Sequence, residues 1–227
     1  MHVVDLTHVH APGIPVYPGG TQPTIETLGT IEKDGYFIQR FTTGEHTGTH
    51  VDAPAHFAAG ATTVDAIPAE TLVGPAAVID VTAAVASNPD YAVTVADLKA
   101  WETRNGALTA RHLVLVRTGW GARWADQARY LDSDDKGVMH FPGVSLEASH
   151  YLVDKGVRCV GIDTLSTDPG PSSTFDEHRY FHGAGGYHVE NLANLEKLPE
   201  AGATVIVAPL PLGGGSGAPA RVLALVP

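Results

Sequence analysis

The chain holds one cysteine, Cys159, in 227 residues. No internal disulfide can form, and so sparing a use of thiols fits a reducing compartment, so the cytoplasm is the expected location. Cys159 lies in the apolar run VRCVGID, which reads as a buried, unreactive thiol. Basic residues are scarce as well: 14 Lys and Arg face 25 Asp and Glu, a formal net charge of −11. That balance offers no phosphate-binding surface, which argues against nucleic acid and anionic membranes as partners. No apolar run reaches the roughly 18 residues of a simple membrane span, and MHVVDLTHVH has neither a basic nor an apolar leader region. A GxSxG elbow is missing, which leaves a serine-triad hydrolase little support. LGGGSGAPAR (212–221) lacks GK[ST] and precedes a strand, so it reads as a glycine-rich turn rather than a phosphate loop. With no linker, repeat or low-complexity tract, residues 1–227 are expected to form one domain.

Hydrophobic residues make up 44% of the chain, enough for a substantial core. Short runs rich in β-branched residues predict strands at 75–81, 112–118, 157–163, 203–210 and 221–226, with an alternating stretch opening 36–46. Helices are predicted at 94–103, opened by Thr94, at 145–156, opened by Ser145 and stopped by Gly156, and at 189–198, ended by Pro199. Strands interspersed with helices give an α/β domain with a mixed sheet, and the near-continuous apolar strands imply that both sheet faces are covered.

HTGTHVDAPAH, His46 to His56, places three histidines and an aspartate at i, i+4, i+6 and i+10. A helix would swing i+6 away from the others. A strand would align all four but spread them over roughly 33 Å, at about 3.3 Å per residue. A folded loop can gather them, and Gly48 and Pro54 supply one, by allowing positive φ and by breaking any ladder. Imidazole and carboxylate are ligand types for zinc, manganese or iron, and a catalytic site typically takes about three of them. His46, His50 and Asp52 make such a set; the competing reading is a His-rich loop whose members cap turns. His56, one short turn beyond Asp52, is a candidate proton shuttle, with a fourth ligand or a surface histidine as alternatives.

HTGTHVDAPAH resembles the HxGTHxDxPxH motif of the cyclase family of metal-dependent hydrolases, which includes bacterial kynurenine formamidases and isatin hydrolases. VVDLTHVHAPGIPVYPGG, GIDTLSTDPGPSSTFDEH and GSGAPARVLAL are similar to the family's opening, central and closing segments, so the likeness runs over nearly the whole chain. The resemblance implies a layered β/β/α, swivelling-domain-like fold. It also implies a homodimer or larger assembly whose N-terminal segment reaches a neighbouring active site. It assigns His46, His50 and Asp52 to one metal ion, and Asp52, His178 and Glu190 to a second. His56 becomes the catalytic acid/base. The implied cofactor is zinc, or manganese, as one or two ions per chain, and the implied substrate is a small non-peptide amide, either cyclic or an N-formyl arylamine. Tyr17 stands where formamidases carry a tryptophan, Arg179 follows His178 where a second histidine is usual, and Glu190 replaces the glutamine of isatin hydrolases.

Tyr17, Phe57, Trp120 and Phe181 are the candidates for a substrate-pocket wall, with Trp124 weighed beside Trp120. Two other classes fit the same residues: a metal-binding scaffold without turnover, and a cyclase or dehydratase. A hydrolytic rate that disappears in His56→Ala excludes the first. Product mass decides the second, since hydrolysis adds one water.

Overall fold

A computed structural model describes all residues, 1–227. Strand β1 (His2–Asp5) precedes a hairpin of β2 (Thr24–Gly29) and β3 (Ile38–Thr42), with the single turn α1 (Ile31–Asp34) between them. Next come β4 (His50–Asp52), β5 (Val73–Asp80) and the short α2 (Thr82–Val85). The chain continues through β6 (Ala92–Val93), α3 (Val95–Asn105), β7 (Leu113–Arg117), α4 (Gln127–Leu131) and β8 (Gly143–Val144). Then follow α5 (Leu146–Asp154), β9 (Cys159–Ile162), α6 (Asp176–Gly183) and β10 (Tyr187–Glu190). β11 (Thr204–Pro209) and β12 (Gly217–Val226) complete the order.

The main sheet runs β1-β12-β11-β5-β7-β9-β10-β4, and β4 pairs back onto β12. Seven strands therefore close on themselves, with β1 added outside. The strands β5, β7, β9 and β10 are parallel neighbours and the remaining pairings are antiparallel, as a mixed α/β sheet requires. Alternation divides the apolar residues between two cores. Ala76, Val78, Leu115, Cys159, Val189 and Val205 fill the barrel, while Ala77, Ile79, Val114, Val116, Val160 and Ile162 face outward beneath Leu98, Trp101 and Leu152 of α3 and α5. Both faces being buried is the reason the strands read as continuous apolar runs.

Helix α3 begins on a capping box, Thr94 with Asp97, and α5 on the Ser145 hydroxyl, at the two sites the sequence indicates. The helix expected at 189–198 is absent. Its start is barrel strand β10, and only Leu195–Lys197 makes a single 3-10 turn. Asn191 and Asn194 adopt left-handed φ of 55° and 57°, which no helix continues through.

Candidate metal centre

Strand alternation builds the centre. On β4, Val51 points into the barrel and His50 and Asp52 point out; on β10, Val189 points in and His188 and Glu190 point out. Antiparallel pairing sets Glu190 opposite His50 and His188 opposite Asp52. Helix α6 lies over this outer face and contributes His178. The two loops flanking β4 bring in His46 and His56, the latter from a one-turn 3-10 helix, Pro54–His56. Gly48 makes the approach possible: its φ is 68°, and a Cβ there would stand 2.8 Å from His10 Nδ1.

Asp52 faces both halves of the site. Its Oδ1 lies 2.5 Å from His46 Nδ1 and 2.9 Å from His50 Nε2, while Oδ2 lies 3.4 Å from His178 Nε2. Glu190 stands 3.2 Å from His178 Nε2 and 3.6 Å from His50 Nε2. The far nitrogens of two of these rings are held by donation. His50 Nδ1 donates to the Gly48 carbonyl at 2.9 Å, and His178 Nδ1 donates to Asp168 at 2.6 Å. That leaves each Nε2 turned toward the carboxylates, and His50 Nε2 is buried with no directed hydrogen bond.

A cation fits this arrangement. Burial alone would depress the His50 imidazole, but Asp52 and Glu190 overcome it and raise it to about 9. Burial likewise opposes charge on His178, yet Asp168, Asp52 and Glu190 push it well above the ordinary histidine value. Burial pulls Asp52 upward, and His50 and His46 outweigh it, holding the carboxyl well below its usual range. Two buried carboxylates thus demand positive charge at one point, supplied by protonated imidazoles or by a divalent ion. The orphaned Nε2 of His50 and the mixed imidazole–carboxylate donor set match the second option.

His56 differs from its neighbours. Burial draws it down to about 4, so the ring is neutral at neutral pH, and it stacks on His46 with centroids 3.7 Å apart. It lines a cavity of about 300 Å³ together with His46, His50, Asp52, His178 and Glu190. Tyr17 and Phe57 line it, together with Phe175 and Leu165. Burial, then Glu190, raises the Tyr17 phenol, which keeps its hydrogen.

Trp120 and Phe181 are corrected. Trp120 is buried in a separate core, its Nε1 donating to the Tyr130 carbonyl at 2.8 Å. Phe181 is fully buried behind His188, on which it stacks at 5.0 Å. Trp120 opens the 3-10 turn that follows β7 and Phe181 sits on α6, and each faces inward to fill a core. Trp124 also stays out of the cavity and stacks on His8 instead. The N-terminal segment, through Pro15 to Tyr17, covers the cavity of its own chain. Several contributors were given no role from the sequence. Phe175, the first residue of FDEH, joins the wall as Leu165 does; Asp168 holds His178, and Ser216 meets His46. Phe175 had a local signal in its position, whereas Ser216 lies 170 residues from its partner.

A family model described as "Putative cyclase" matches residues 4–169. An isatin hydrolase of Roseibium aggregatum is 35% identical over 244 aligned residues, covering 100% of this chain and 92% of that protein. A kynurenine formamidase of Paracidovorax citrulli is 32% identical over 225, with 96% and 94% covered. Among solved structures, isatin hydrolase A from Ralstonia solanacearum superposes with a TM-score of 0.92 at 40% identity, over 100% of this chain and 92% of that one.

Proposed function

The chain belongs to the cyclase family, and from that premise we propose that it hydrolyses a small amide whose nitrogen is carried by an aromatic ring. One observation carries the reading: the histidine–carboxylate centre opens into a cavity walled by Tyr17, Phe57 and Phe175. Isatin, a cyclic amide, and an N-formyl arylamine share this N-aryl linkage, and relatives named for each are similar to the chain. A cavity of about 300 Å³ suits one substituted ring.

His46, His50 and Asp52 would hold one divalent ion, zinc or manganese, and Asp52, Glu190 and His178 a second, weaker one. Such an ion supplies Lewis acidity, polarising a carbonyl and lowering the pKa of water. Asp52 and Glu190 bring two negative charges against neutral imidazoles. One ion cancels these, while two leave a positive surplus for a developing oxyanion, which supports the two-ion form. His56 is neutral and its ring nitrogens make no side-chain hydrogen bond, so it can take a proton from water and return it to the departing nitrogen. Water adds across the C–N bond, giving a carboxylate and an arylamine. Tyr17, Phe57 and Phe175 flank the ring and exclude water from it.

The β2–β3 hairpin supports assembly as a homodimer. It is a separate two-stranded sheet that leaves Ile25, Leu28, Tyr36, Phe37, Ile38 and Phe41 exposed. A lone hairpin is marginal in water, and apolar patches of this kind mark association surfaces. The single buried thiol supports a reducing, cytoplasmic setting, and no helix is long and apolar enough to cross a membrane.

The test compares kcat/KM for isatin and an N-formyl arylamine with N-alkyl formamides and alkyl lactams, following product mass. Preference for the aryl amides with gain of one water supports the reading. Equal rates on alkyl amides, or a product without added water, overturns it.

A further inference from the structure

The glycine-rich turn before β12 takes no part in the chemistry above, yet it closes on His46 from the side opposite Asp52. Ser216 Oγ lies 2.9 Å from His46 Nε2 and 2.5 Å from Glu45 Oε2, and the Ser216 amide donates to the same carboxylate oxygen at 3.1 Å. Next to it, a Cβ on Gly217 would stand 2.5 Å from His46 Cε1 and 2.9 Å from Nδ1. Pairing of β12 with β4 fixes this turn in register, Gly217 against Asp52. We propose that Glu45, Ser216 and Gly217 form a cradle that sets the tautomer and orientation of His46 as a metal ligand, an inference that rests on the metal-centre reading.

The hydrogen count leaves one arrangement. An ionised carboxylate only accepts, so the single hydroxyl hydrogen of Ser216 goes to Glu45. Ser216 Oγ can then only accept from His46, which places the imidazole hydrogen on Nε2. A neutral ring so fixed presents its lone pair from Nδ1, the atom 2.5 Å from Asp52 Oδ1. Two acceptors remain that close only with a proton or a cation between them. Gly217 contributes by being flat, since any side chain would push the ring out of this alignment. Partners that hold the far nitrogen of a ligating histidine fix its tautomer and strengthen its donation, and losing them typically costs 10–100-fold in metal affinity. None of the three residues lines the cavity, so they are positioning residues.

The experiment titrates zinc into metal-free protein by calorimetry for the parent chain, Ser216→Ala, Ser216→Thr, Glu45→Ala and Gly217→Ala. Long-range ¹H–¹⁵N spectra of the zinc-loaded forms show which ring nitrogen keeps its hydrogen. The parent should show His46 protonated on Nε2. Ser216→Ala and Glu45→Ala should weaken the tighter zinc site by about 10–100-fold, with Ser216→Thr restoring it. Gly217→Ala should weaken it at least as much. Glu45 is partly exposed, so its variant answers the question should the turn variants fail to fold. Parent-like affinity in Ser216→Ala or Glu45→Ala, or a His46 hydrogen on Nδ1 in the parent, overturns the cradle. Zinc affinity is read without substrate, so that failure would leave the hydrolysis reading standing, while normal affinity without turnover would strike hydrolysis alone.

Discussion

Replacing Asp168 by Asn separates the support of His178 from its ligation. Asp168 is 4% exposed and comes from the loop after β9, yet it serves α6 in two ways. Its carboxylate accepts from His178 Nδ1 at 2.6 Å, and it also accepts the backbone amides of Glu177 and His178 at 3.2 Å, capping the helix from eight to ten residues upstream. Asparagine offers one acceptor oxygen and turns an NH₂ group onto a donor that has nowhere else to go. The charge-assisted bond to His178 is worth about 1.5–3 kcal/mol, and a negative charge at a helix N-terminus about 0.3–1 kcal/mol. Together they amount to about 2–4 kcal/mol, which at about 2–4 °C per kcal/mol for a chain of this size lowers Tm by about 5–15 °C. His178 would also move its hydrogen to Nε2 and withdraw the lone pair aimed at Asp52 and Glu190. Metal affinity at that position should therefore fall by about 10–100-fold. Scanning calorimetry of the metal-free variant reads the first effect, and zinc titration reads the second. A Tm within about 2 °C of the parent, with zinc affinity unchanged, would refute the reasoning.

His56→Ala should keep its bound metal and lose about 10²–10⁴-fold in kcat, since the ring moves protons and ligates nothing; loss of metal in that variant would make it a ligand instead. His8 stacks on Trp124 at 4.0 Å, and burial lowers it from 6.5 to about 4. Between those values the unfolded chain binds more protons than the folded one, so stability falls as pH drops below about 6.5 and this contribution to the slope fades below about 4. Urea midpoints should show a shallower acid slope for His8→Phe, and an unchanged slope would remove His8 as the cause. Sedimentation of Phe37→Ser/Phe41→Ser should give monomer where the parent gives dimer; a dimer in both would place the interface elsewhere.

The candidate ligands on β4 were legible because their chemistry is concentrated in eleven residues whose order the motif preserves. Closure of the barrel was not legible. It depends on β4, three residues long, pairing with β10 and β12 from the far end of the chain. The misread helix at 189–198 shows tertiary context overriding a local pattern. Val189, Leu192, Leu195 and Leu198 repeat every three residues, as on a helix, yet all four are buried by a strand and a turn that pack against the barrel. Helix α6 went unread for the converse reason. It starts after Phe175 in a left-handed conformation without a local side-chain cap, and its cap arrives from Asp168. Trp120 and Phe181 carried an aromatic signal that cannot distinguish a pocket wall from a core; only the placement of their cores decides.

The most direct test of the account is turnover of isatin and of an N-formyl arylamine by chelated protein refilled with counted equivalents of zinc or manganese. The account predicts no hydrolysis in the metal-free protein. Activity should return with the metal, and should saturate at two equivalents per chain or at one tight equivalent followed by a weaker second. Full activity after complete metal removal, with the fold intact, would contradict it.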